Sequence, residues 1–411
     1  MFFSIKKDRQ IYNLIKKEEK RQENTLNLIA SENYPSKAVR EALSSIFVVK
    51  YSEGRPYKRY YGGMENIDKL ETLVEERVKE VFLKKIKGYA VNVQACSGSP
   101  ANYAVLRGLL DPGDKILSLT LSHGGHLSHG SPVSLSGKDF KVVNYFLDKK
   151  TNLLDYKDIE KIAIKEKPKI IICGFSAYPR KINFKKFKEI ADKSGAYLLA
   201  DIAHIAGLVA GGVHPNPFPY ADVVTTTTHK TLRGPRGAII VCREELKDKI
   251  FSRVFPGLQG GPHNHTICAI GIALKEALSS SFKKYAKQVI ANAKILAQEL
   301  KKYNFKLISG GTDNHLILID LSNKGINGLE AQEMLEKAGI VANKNSIPYD
   351  KNSHSKPSGI RFGTPALTTR GMKEKEMEKV AYWINEAVSS PKSCLKIRKE
   401  VENLCRKFPI Q

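Results

Sequence analysis

Short apolar runs alternate with stretches of helical periodicity through the first two thirds of the chain. A short apolar run bounded by polar turns predicts a buried strand, whereas apolar residues three and four positions apart predict a helix. Predicted helices cover residues 99–110, 156–166 and 184–194. Strands alternating with helices predict a largely parallel sheet covered on both faces, with ligands bound beyond the carboxyl ends of its strands. The predicted strands are residues 89–93, 115–119, 141–146, 170–174, 197–201, 222–226 and 238–242.

The pattern differs before this alternation. Residues 6–24 are charged with spaced apolar positions and predict a short amphipathic helix. Residues 25–63 are rich in tyrosine and glycine and have little periodicity, so they predict an irregular arm that contacts something else. Residues 66–82 again predict a helix.

The pattern also changes after Pro262. Residues 265–302 are predominantly helical, with a predicted break near 279–281, and the polar segment 348–358 predicts a mobile loop. The remaining elements predict a second domain: a strand at 316–321, a helix at 329–338, a strand-like stretch at 360–363, and helices starting at Lys373 and Ser393. We therefore divide the chain into an N-terminal helix or arm (1–25), a large domain (26–280) and a small C-terminal domain (281–411).

The composition changes this picture mainly through charge. With 67 Lys and Arg against 42 Asp and Glu, the formal net charge is +25, which favours contact with nucleic acid or other polyanions. The lysines are nevertheless scattered over predicted helices and both termini, without a nucleic-acid motif or an aromatic-interleaved patch. Nucleic-acid binding is thus an alternative suggested only by charge. The preferred interpretation is that the lysines lie on solvated faces, where they would still attract anionic substrates.

The pattern of the six cysteines indicates the cellular compartment of the protein. None forms a Cys-x-x-Cys pair, so neither a metal site nor a redox pair is indicated. Several lie in apolar runs, as free thiols do in a reducing compartment. The first ten residues lack the apolar core of a signal peptide, and no apolar run is long enough to span a membrane. The sequence predicts a cytoplasmic protein without a membrane partner.

One lysine is placed for chemistry. Lys230 lies between the predicted strands 222–226 and 238–242. Burial there would disfavour the ammonium form, and a neutral lysine is a nucleophile toward aldehydes. The alternative is that Lys230 is an ordinary solvent-exposed lysine of a loop.

Two upstream features favour the chemical reading of Lys230. Asp201 ends a predicted strand, and Ser97-Gly98-Ser99 opens a helix, where a turn of small residues forms a phosphate site. Either feature alone could be a helix cap or a plain loop. A lysine Schiff base with an aspartate at the pyridine nitrogen is typical of pyridoxal-phosphate enzymes.

The chain resembles serine hydroxymethyltransferases in motifs that span residues 28–365. This resemblance implies an aspartate-aminotransferase-like fold (fold type I), with a mostly parallel seven-stranded sheet in the large domain and an α+β small domain. It also implies pyridoxal 5'-phosphate as cofactor. The matching stretches are LIASENY at 28–34, KRYYGG at 58–63, HGGHLSHG at 123–130, TTTTHK at 225–230, QGGP at 259–262, GGTDNH at 310–315 and GIRFGTP at 359–365.

The resemblance also implies roles around the cofactor. Lys230 would carry it, Asp201 would stabilise the protonated ring nitrogen, and His126 would stack on the ring. Asp201 and His126 are therefore counted with Lys230 among the catalytic positions. The other cofactor positions implied are Ser97, Gly98, Ser99, Ser176, His204 and His229, with Tyr51 and Gly261 supplied by the neighbouring subunit.

Substrate and folate positions follow from the same resemblance. Arg361 would bind the substrate carboxylate through its planar fork, assisted by Ser31 and His204. Glu53 is the acid–base candidate, because neighbouring tyrosines could desolvate it and keep it protonated, and Tyr61 is a further catalytic candidate. The folate positions implied are Leu121, Gly125, Leu127 and Asn345.

The implied activity is interconversion of L-serine plus tetrahydrofolate with glycine plus 5,10-methylenetetrahydrofolate, by a homodimer or higher oligomer with shared active sites. A folate-independent aldolase acting on threonine-type amino acids is the alternative within the same fold. The chain departs from the family pattern at Tyr57, where the family usually has glycine, and at 350–357, where it often has apolar residues.

Overall fold

A seven-stranded sheet forms the centre of the structure, a computed structural model that describes residues 4–410. All seven predicted strands form, each within one residue of its predicted bounds. Both faces of the sheet are buried, so the strands are largely apolar runs bounded by polar turns. These clear boundaries explain the accuracy of the prediction. The strands are β1 (Tyr89–Asn92), β2 (Lys115–Leu119), β3 (Lys141–Tyr145), β4 (Ile170–Cys173), β5 (Tyr197–Asp201), β6 (Val223–Thr227) and β7 (Ala238–Arg243).

The sheet is mixed rather than wholly parallel. Its strand order is β1-β7-β6-β5-β4-β2-β3, and β7 runs antiparallel to both of its neighbours. Parallel strands need a crossover of about a dozen residues or more, usually a helix. The connection 228–237 between β6 and β7 contains no helix and is too short for one, so the chain simply turns back.

A smaller antiparallel sheet follows in the C-terminal part of the chain, in the order β8-β9-β11-β10. Two short pairings complete the strands: Leu26–Asn27 lies parallel to Ile340–Val341, and Gly54–Arg55 forms a hairpin with Lys58–Arg59. The strands of the smaller sheet are β8 (Lys306–Leu307), β9 (Leu316–Asp320), β10 (Asn343–Asn345) and β11 (Gly359–Gly363).

Helices cover both sheets, and several begin at a polar side chain that accepts a hydrogen bond from the first turn. The predicted break near 279–281 is confirmed, because one helix ends at Ala277 and the Ser279 hydroxyl accepts from the Phe282 N–H, 3.1 Å away, to begin the next. The α-helices of the described residues are α1 (Arg9–Glu23), α2 (Lys37–Leu43), α3 (Glu65–Val78), α4 (Gly98–Leu109), α5 (Leu135–Asp139), α6 (Tyr156–Glu166), α7 (Phe184–Ser194), α8 (Ala206–Ala210), α9 (Lys247–Ser252), α10 (Asn264–Ala277), α11 (Ser280–Lys302), α12 (Gly328–Lys337), α13 (Pro365–Thr369), α14 (Glu374–Ser389) and α15 (Cys394–Lys407).

The arm at 25–63 is less irregular than its composition predicts. Helix α2 begins at Ser36, whose hydroxyl accepts from the Val39 N–H, and its buried Val39 and Ala42 pack with Ala269 and Ala273 of α10. Helix α1 buries none of its residues. Its predicted amphipathic face, which includes Leu14, is exposed in the single chain.

The hydrophobic core is divided between the two sheets. One large cluster fills one face of the seven-stranded sheet and a second lies on its other face. A third cluster joins α11, the small sheet and the C-terminal helices, and it also takes in Leu26 and Leu28. The predicted boundaries at 26 and 281 stay a prediction, and residues 1–3 and 411 lie outside the described residues.

No helix within residues 4–410 has both the length and the apolar character needed to cross a membrane.

Candidate active site

A cavity of about 410 Å³ opens at the carboxyl ends of the central strands. Residues that follow β1, β4, β5 and β6 converge on it from the sheet, and β11 contributes from the smaller one. Eleven residues singled out from the sequence line this cavity: Ser31, Ser97, Gly98, Ser99, His126, Ser176, Asp201, His204, His229, Lys230 and Arg361.

Lys230 lies just beyond β6 at the floor of the cavity. Its Nζ donates to Thr227 Oγ1 at 3.0 Å. Burial lowers the pKa of Lys230 to about 8, opposed by the charge of Asp201 and reinforced by Arg361 and Arg236. The amine is therefore far easier to deprotonate than an exposed lysine, as nucleophilic attack on an aldehyde requires.

Asp201 ends β5 and is held ionised by a buried network. Burial alone would raise its pKa, but the hydrogen bond from His129 and those from other donors hold the pKa well below its usual range. Its Oδ2 accepts from His129 Nε2 at 2.9 Å and from Asn102 Nδ2 at 2.7 Å, while Oδ1 accepts from the Ala203 N–H at 3.0 Å. Thr225 in turn donates to Asn102 Oδ1 at 2.6 Å, which orients the amide. A permanent negative charge is thereby fixed at one wall.

The start of α4 also lines the cavity. Ser97 occupies the N-cap position, but its side chain makes no capping hydrogen bond. A methyl group added to Gly98 would lie 2.7 Å from Thr227 Cγ2, so glycine permits the close approach of helix and strand. The first-turn N–H groups of α4 are left for an anion, as at other helix N-termini.

Four histidines around the cavity are held neutral by burial. Burial lowers the pKa of His126 to about 4 and that of His229 to about 3. The pKa of His204 lies well below its ordinary value for the same reason, and that of His315, which stacks on His204 with ring centroids 5.5 Å apart, falls to about 3. His229 Nδ1 is buried without a hydrogen-bond partner in the described chain, so a ligand group could bind it.

Arg361 carries a buried positive charge into the cavity from β11. It is 8% exposed, and burial lowers its pKa to about 10. One guanidinium N–H donates to the Ser176 carbonyl at 2.6 Å, and Nε donates to Asn343 Oδ1 at 3.2 Å. Both acceptors are neutral, and Arg361 forms no ion pair within residues 4–410. A buried cation without a carboxylate partner favours an anionic ligand.

Glu53, Tyr51, Tyr61 and Gly261 do not line this cavity in the single chain; they form a group of their own. The rings of Tyr51 and Tyr61 meet edge to face at 5.2 Å between centroids. A methyl group on Gly261 would lie 3.2 Å from the Tyr51 ring, and one on Gly260 would lie 3.3 Å from Glu53 Oε1. Tyr51 and Tyr61 are 56% and 46% exposed, so this group presents an open surface.

The four predicted folate positions line one adjoining cavity of about 280 Å³. Leu121, Gly125, Leu127 and Asn345 face it together, and His126 and Ser176 border both cavities. The divergent segment closes one side of it.

Contacts hold this divergent segment in place. Lys344 Nζ donates to the Ser355 carbonyl at 2.7 Å, and Ser346 Oγ bonds His354 Nδ1 at 2.9 Å. Tyr349, immediately before the segment, donates through its hydroxyl to the Leu147 carbonyl at 2.7 Å. The polar composition of the segment therefore serves hydrogen bonds to its surroundings.

Sequence reasoning missed three residues of the site: His129, Asn102 and Thr227. His129 lies in a matching stretch, and its histidine-rich setting was the available signal. Asn102 reads as an ordinary helix residue, and only the packing of α4 beside β5 brings it to Asp201. In the part of the chain described, no group of three or more His, Cys, Asp and Glu side chains could hold a metal ion.

The donor set fits pyridoxal phosphate. Lys230 offers an amine of lowered pKa for an aldehyde, and buried Asp201 offers a carboxylate for a ring cation. The uncapped start of α4 and the unpartnered His229 Nδ1 offer donors for a phosphate.

A family model described as SHMT: Serine hydroxymethyltransferase matches residues 5–384, which is nearly the whole chain.

Proposed function

Because the chain belongs to the serine hydroxymethyltransferase family, we propose that it interconverts L-serine and tetrahydrofolate with glycine and 5,10-methylenetetrahydrofolate, using pyridoxal 5'-phosphate. The observation that carries this proposal is one cavity that holds Lys230, Asp201 and Arg361 and adjoins a second cavity lined by the four folate positions. The fold would then be that of aspartate aminotransferase (fold type I), and we expect the enzyme in the cytoplasm.

Pyridoxal phosphate, when bound, accepts the electrons of a bond broken at the substrate α-carbon. Lys230 would hold it covalently, and its lowered pKa makes the amine available for this. Asp201, kept ionised by His129 and Asn102, would keep the ring nitrogen protonated. His126 would cover one face of the ring, and its neutrality prevents it from competing with that cation.

The phosphate would be held by Ser97, Gly98, Ser99 and His229, through the uncapped first turn of α4 and the free imidazole nitrogen. Ser176 and His204 would contact the remaining ring substituents. Arg361 would bind the substrate carboxylate with Ser31 and His204, which fixes the rotation of the substrate so that the reacting bond faces the ring.

Glu53 would hold or move the proton of the serine hydroxyl, with Tyr61 beside it. Because Glu53, Tyr61, Tyr51 and Gly261 lie apart from the cavity of their own chain, we propose that they complete the cavity of a partner subunit in a homodimer. The exposed tyrosines of this group support an interface there, and the exposed apolar face of α1 is a further surface that a partner subunit could cover.

The test of this proposal measures cofactor attachment first and the serine reaction second. The purified protein should absorb visible light through its bound cofactor, and borohydride should fix that cofactor on Lys230. Glycine should form from serine only when tetrahydrofolate is added, with methylenetetrahydrofolate as co-product. Cleavage of threonine-type substrates without serine transfer would instead favour the folate-independent aldolase, and a chain that lacks the cofactor band would contradict both.

A further inference from the structure

We propose that Arg59 is a positioning residue that fixes the backbone on both sides of Glu53. This inference rests on the proposed function, in which Glu53 handles a proton. The Nη1 nitrogen of Arg59 donates to the carbonyl of Ser52 and to that of Gly54, each at 2.9 Å. The carbonyls of the residues immediately before and after Glu53 are therefore held by a single side chain.

Arg59 can act as a rigid clamp because it is itself held. Its side chain is 2% exposed, and its other nitrogens pair with two carboxylates one turn apart on α3. Nε donates to Asp68 Oδ1 at 2.9 Å, and the remaining terminal nitrogen donates to Glu71 Oε2 at 2.7 Å. The planar fork of arginine meets these acceptors together, which a lysine could not do.

A buried amide extends the clamp toward the cofactor cavity. Gln94 Nε2 donates to the Gly54 carbonyl at 2.9 Å and to Glu71 Oε1 at 2.8 Å. The Gln94 carbonyl accepts from Gln259 Nε2 at 2.6 Å, and Gln259 Oε1 accepts from the Cys96 N–H at 3.2 Å. The network thus joins the Glu53 segment to the loop before Ser97 and to the turn at 259–261.

The Glu53 carboxylate lies close to the turn at 259–261. A methyl group on Gly260 would meet Glu53 Oε1 at 3.3 Å and the Tyr51 hydroxyl at 3.5 Å. Proton transfer needs donor and acceptor within about 3.2 Å. A misplacement of about 1 Å can cost on the order of a hundredfold in rate. Loosening the clamp should therefore affect turnover before it affects binding at Arg361.

Arg55 supplies a matched control. It belongs to the same network, donating to Glu71 at 3.1 Å and to Glu75 at 2.5 Å, yet it contacts neither the Ser52 nor the Gly54 carbonyl. Replacing Arg55 by lysine perturbs the charge pairs with Glu71 and Glu75 but leaves the contacts of Arg59 with the Ser52 and Gly54 carbonyls intact.

The experiment compares Arg59→Lys, Arg55→Lys, Glu53→Gln and the double variant Arg59→Lys/Glu53→Gln in the cofactor-bound enzyme. Arg59→Lys should lower kcat for serine conversion by roughly tenfold or more, with glycine affinity changed by less than about twofold. Arg55→Lys should change kcat by about twofold at most. The double variant should be about as slow as Glu53→Gln alone, because both changes act on one carboxylate.

Amide hydrogen exchange over residues 50–61 measures how firmly Arg59 holds this backbone, independently of any catalytic reaction. Exchange should accelerate in Arg59→Lys and remain near wild type in Arg55→Lys. If Arg59→Lys does not fold, Gln94→Met removes one donor to the Gly54 carbonyl and should give smaller changes of the same kind. Wild-type exchange rates in both Arg59→Lys and Gln94→Met, or multiplicative losses of kcat in the double variant, would overturn the inference. A wild-type protein that converts no serine would instead refute the proposed function, while hydrogen exchange still decides on the clamp.

Discussion

Replacing Arg361 is the most direct test of how this site would bind an amino acid. The guanidinium is 8% exposed, donates to the Ser176 carbonyl and Asn343 Oδ1, and has no carboxylate partner in the described chain. Its remaining N–H groups can therefore take a substrate carboxylate in a bidentate pair. Arg361→Ala removes that pair, and Arg361→Lys keeps the charge but loses the planar fork.

The expected loss can be worked from these contacts. A hydrogen bond to a charged group contributes about 1.5–3 kcal/mol, so losing two together should weaken glycine binding by roughly a hundredfold or more, at about 1.4 kcal/mol per factor of ten. Lysine should recover only part of this, since one ammonium cannot reach the Ser176 carbonyl, Asn343 and a ligand in the same geometry. Cofactor content should not change, because Arg361 is assigned no contact with the phosphate.

Glycine titrations monitored by the visible spectrum of the bound cofactor measure this affinity directly. Arg180→Lys is the matched control, because Arg180 is half-buried and ion-paired with Asp313 at 3.1 Å outside the cavity. It should bind glycine as the wild type does. Unchanged glycine affinity in Arg361→Ala would refute the assignment and, with it, the proposed orientation of the substrate.

Four further outcomes are expected. The pKa of Lys230 is lowered to about 8 by burial, so pyridoxal phosphate should attach to stripped protein faster as pH rises toward 8 and level off above it, as followed by absorbance; an unvarying rate would contradict the assignment. The folded, stripped protein holds fewer protons on Lys230 than the unfolded chain between about 8 and the ordinary value of 10.5, so its stability should rise with pH across that window. Inactive Tyr51→Phe and Lys230→Ala chains should regain activity when mixed and exchanged, and no recovery despite proven exchange would contradict a shared site. Tyr57→Gly should raise the free energy of unfolding by up to about 1 kcal/mol, measured by thermal unfolding, whereas destabilisation would show that the tyrosine ring has a compensating contact.

The reason for the Tyr57 prediction also shows what the sequence could indicate. Tyr57 has φ 63° in the turn between Arg55 and Lys58, a conformation that favours glycine, and it is 72% exposed. Comparison with the family pattern marked the position as unusual, yet only the backbone shows that the tyrosine adopts the left-handed geometry itself. The side chain adds little packing to offset that strain.

Most of the large sheet was predictable because its strands are buried on both faces and bounded by polar turns. Strand direction was harder to predict: β7 has the same apolar pattern as the parallel strands of the sheet, and only the short link 228–237 distinguishes it. Helix α2 was missed because the surrounding tyrosines and glycines conceal its cap at Ser36. Asn102 was missed since its function depends on a contact with Asp201, 99 positions away in sequence.

The charges of the cavity connect the residues that bind the cofactor with those that bind the substrate. In the buried part of the cavity, Lys230 and Arg361 face Asp201. Burial lowers the pKa of His126, His204 and His229, so these three add no positive charge. Burying a charge without a partner costs free energy, so the excess positive charge is a cost that the fold carries until anions arrive. A phosphate and a carboxylate are anions of the right kind for the two places where donors are free, the start of α4 and Arg361. Ligands that relieve such a cost bind the folded chain in preference to the unfolded one and stabilise it by mass action. The same electrostatics that select the ligands should therefore also couple the stability of this protein to their presence.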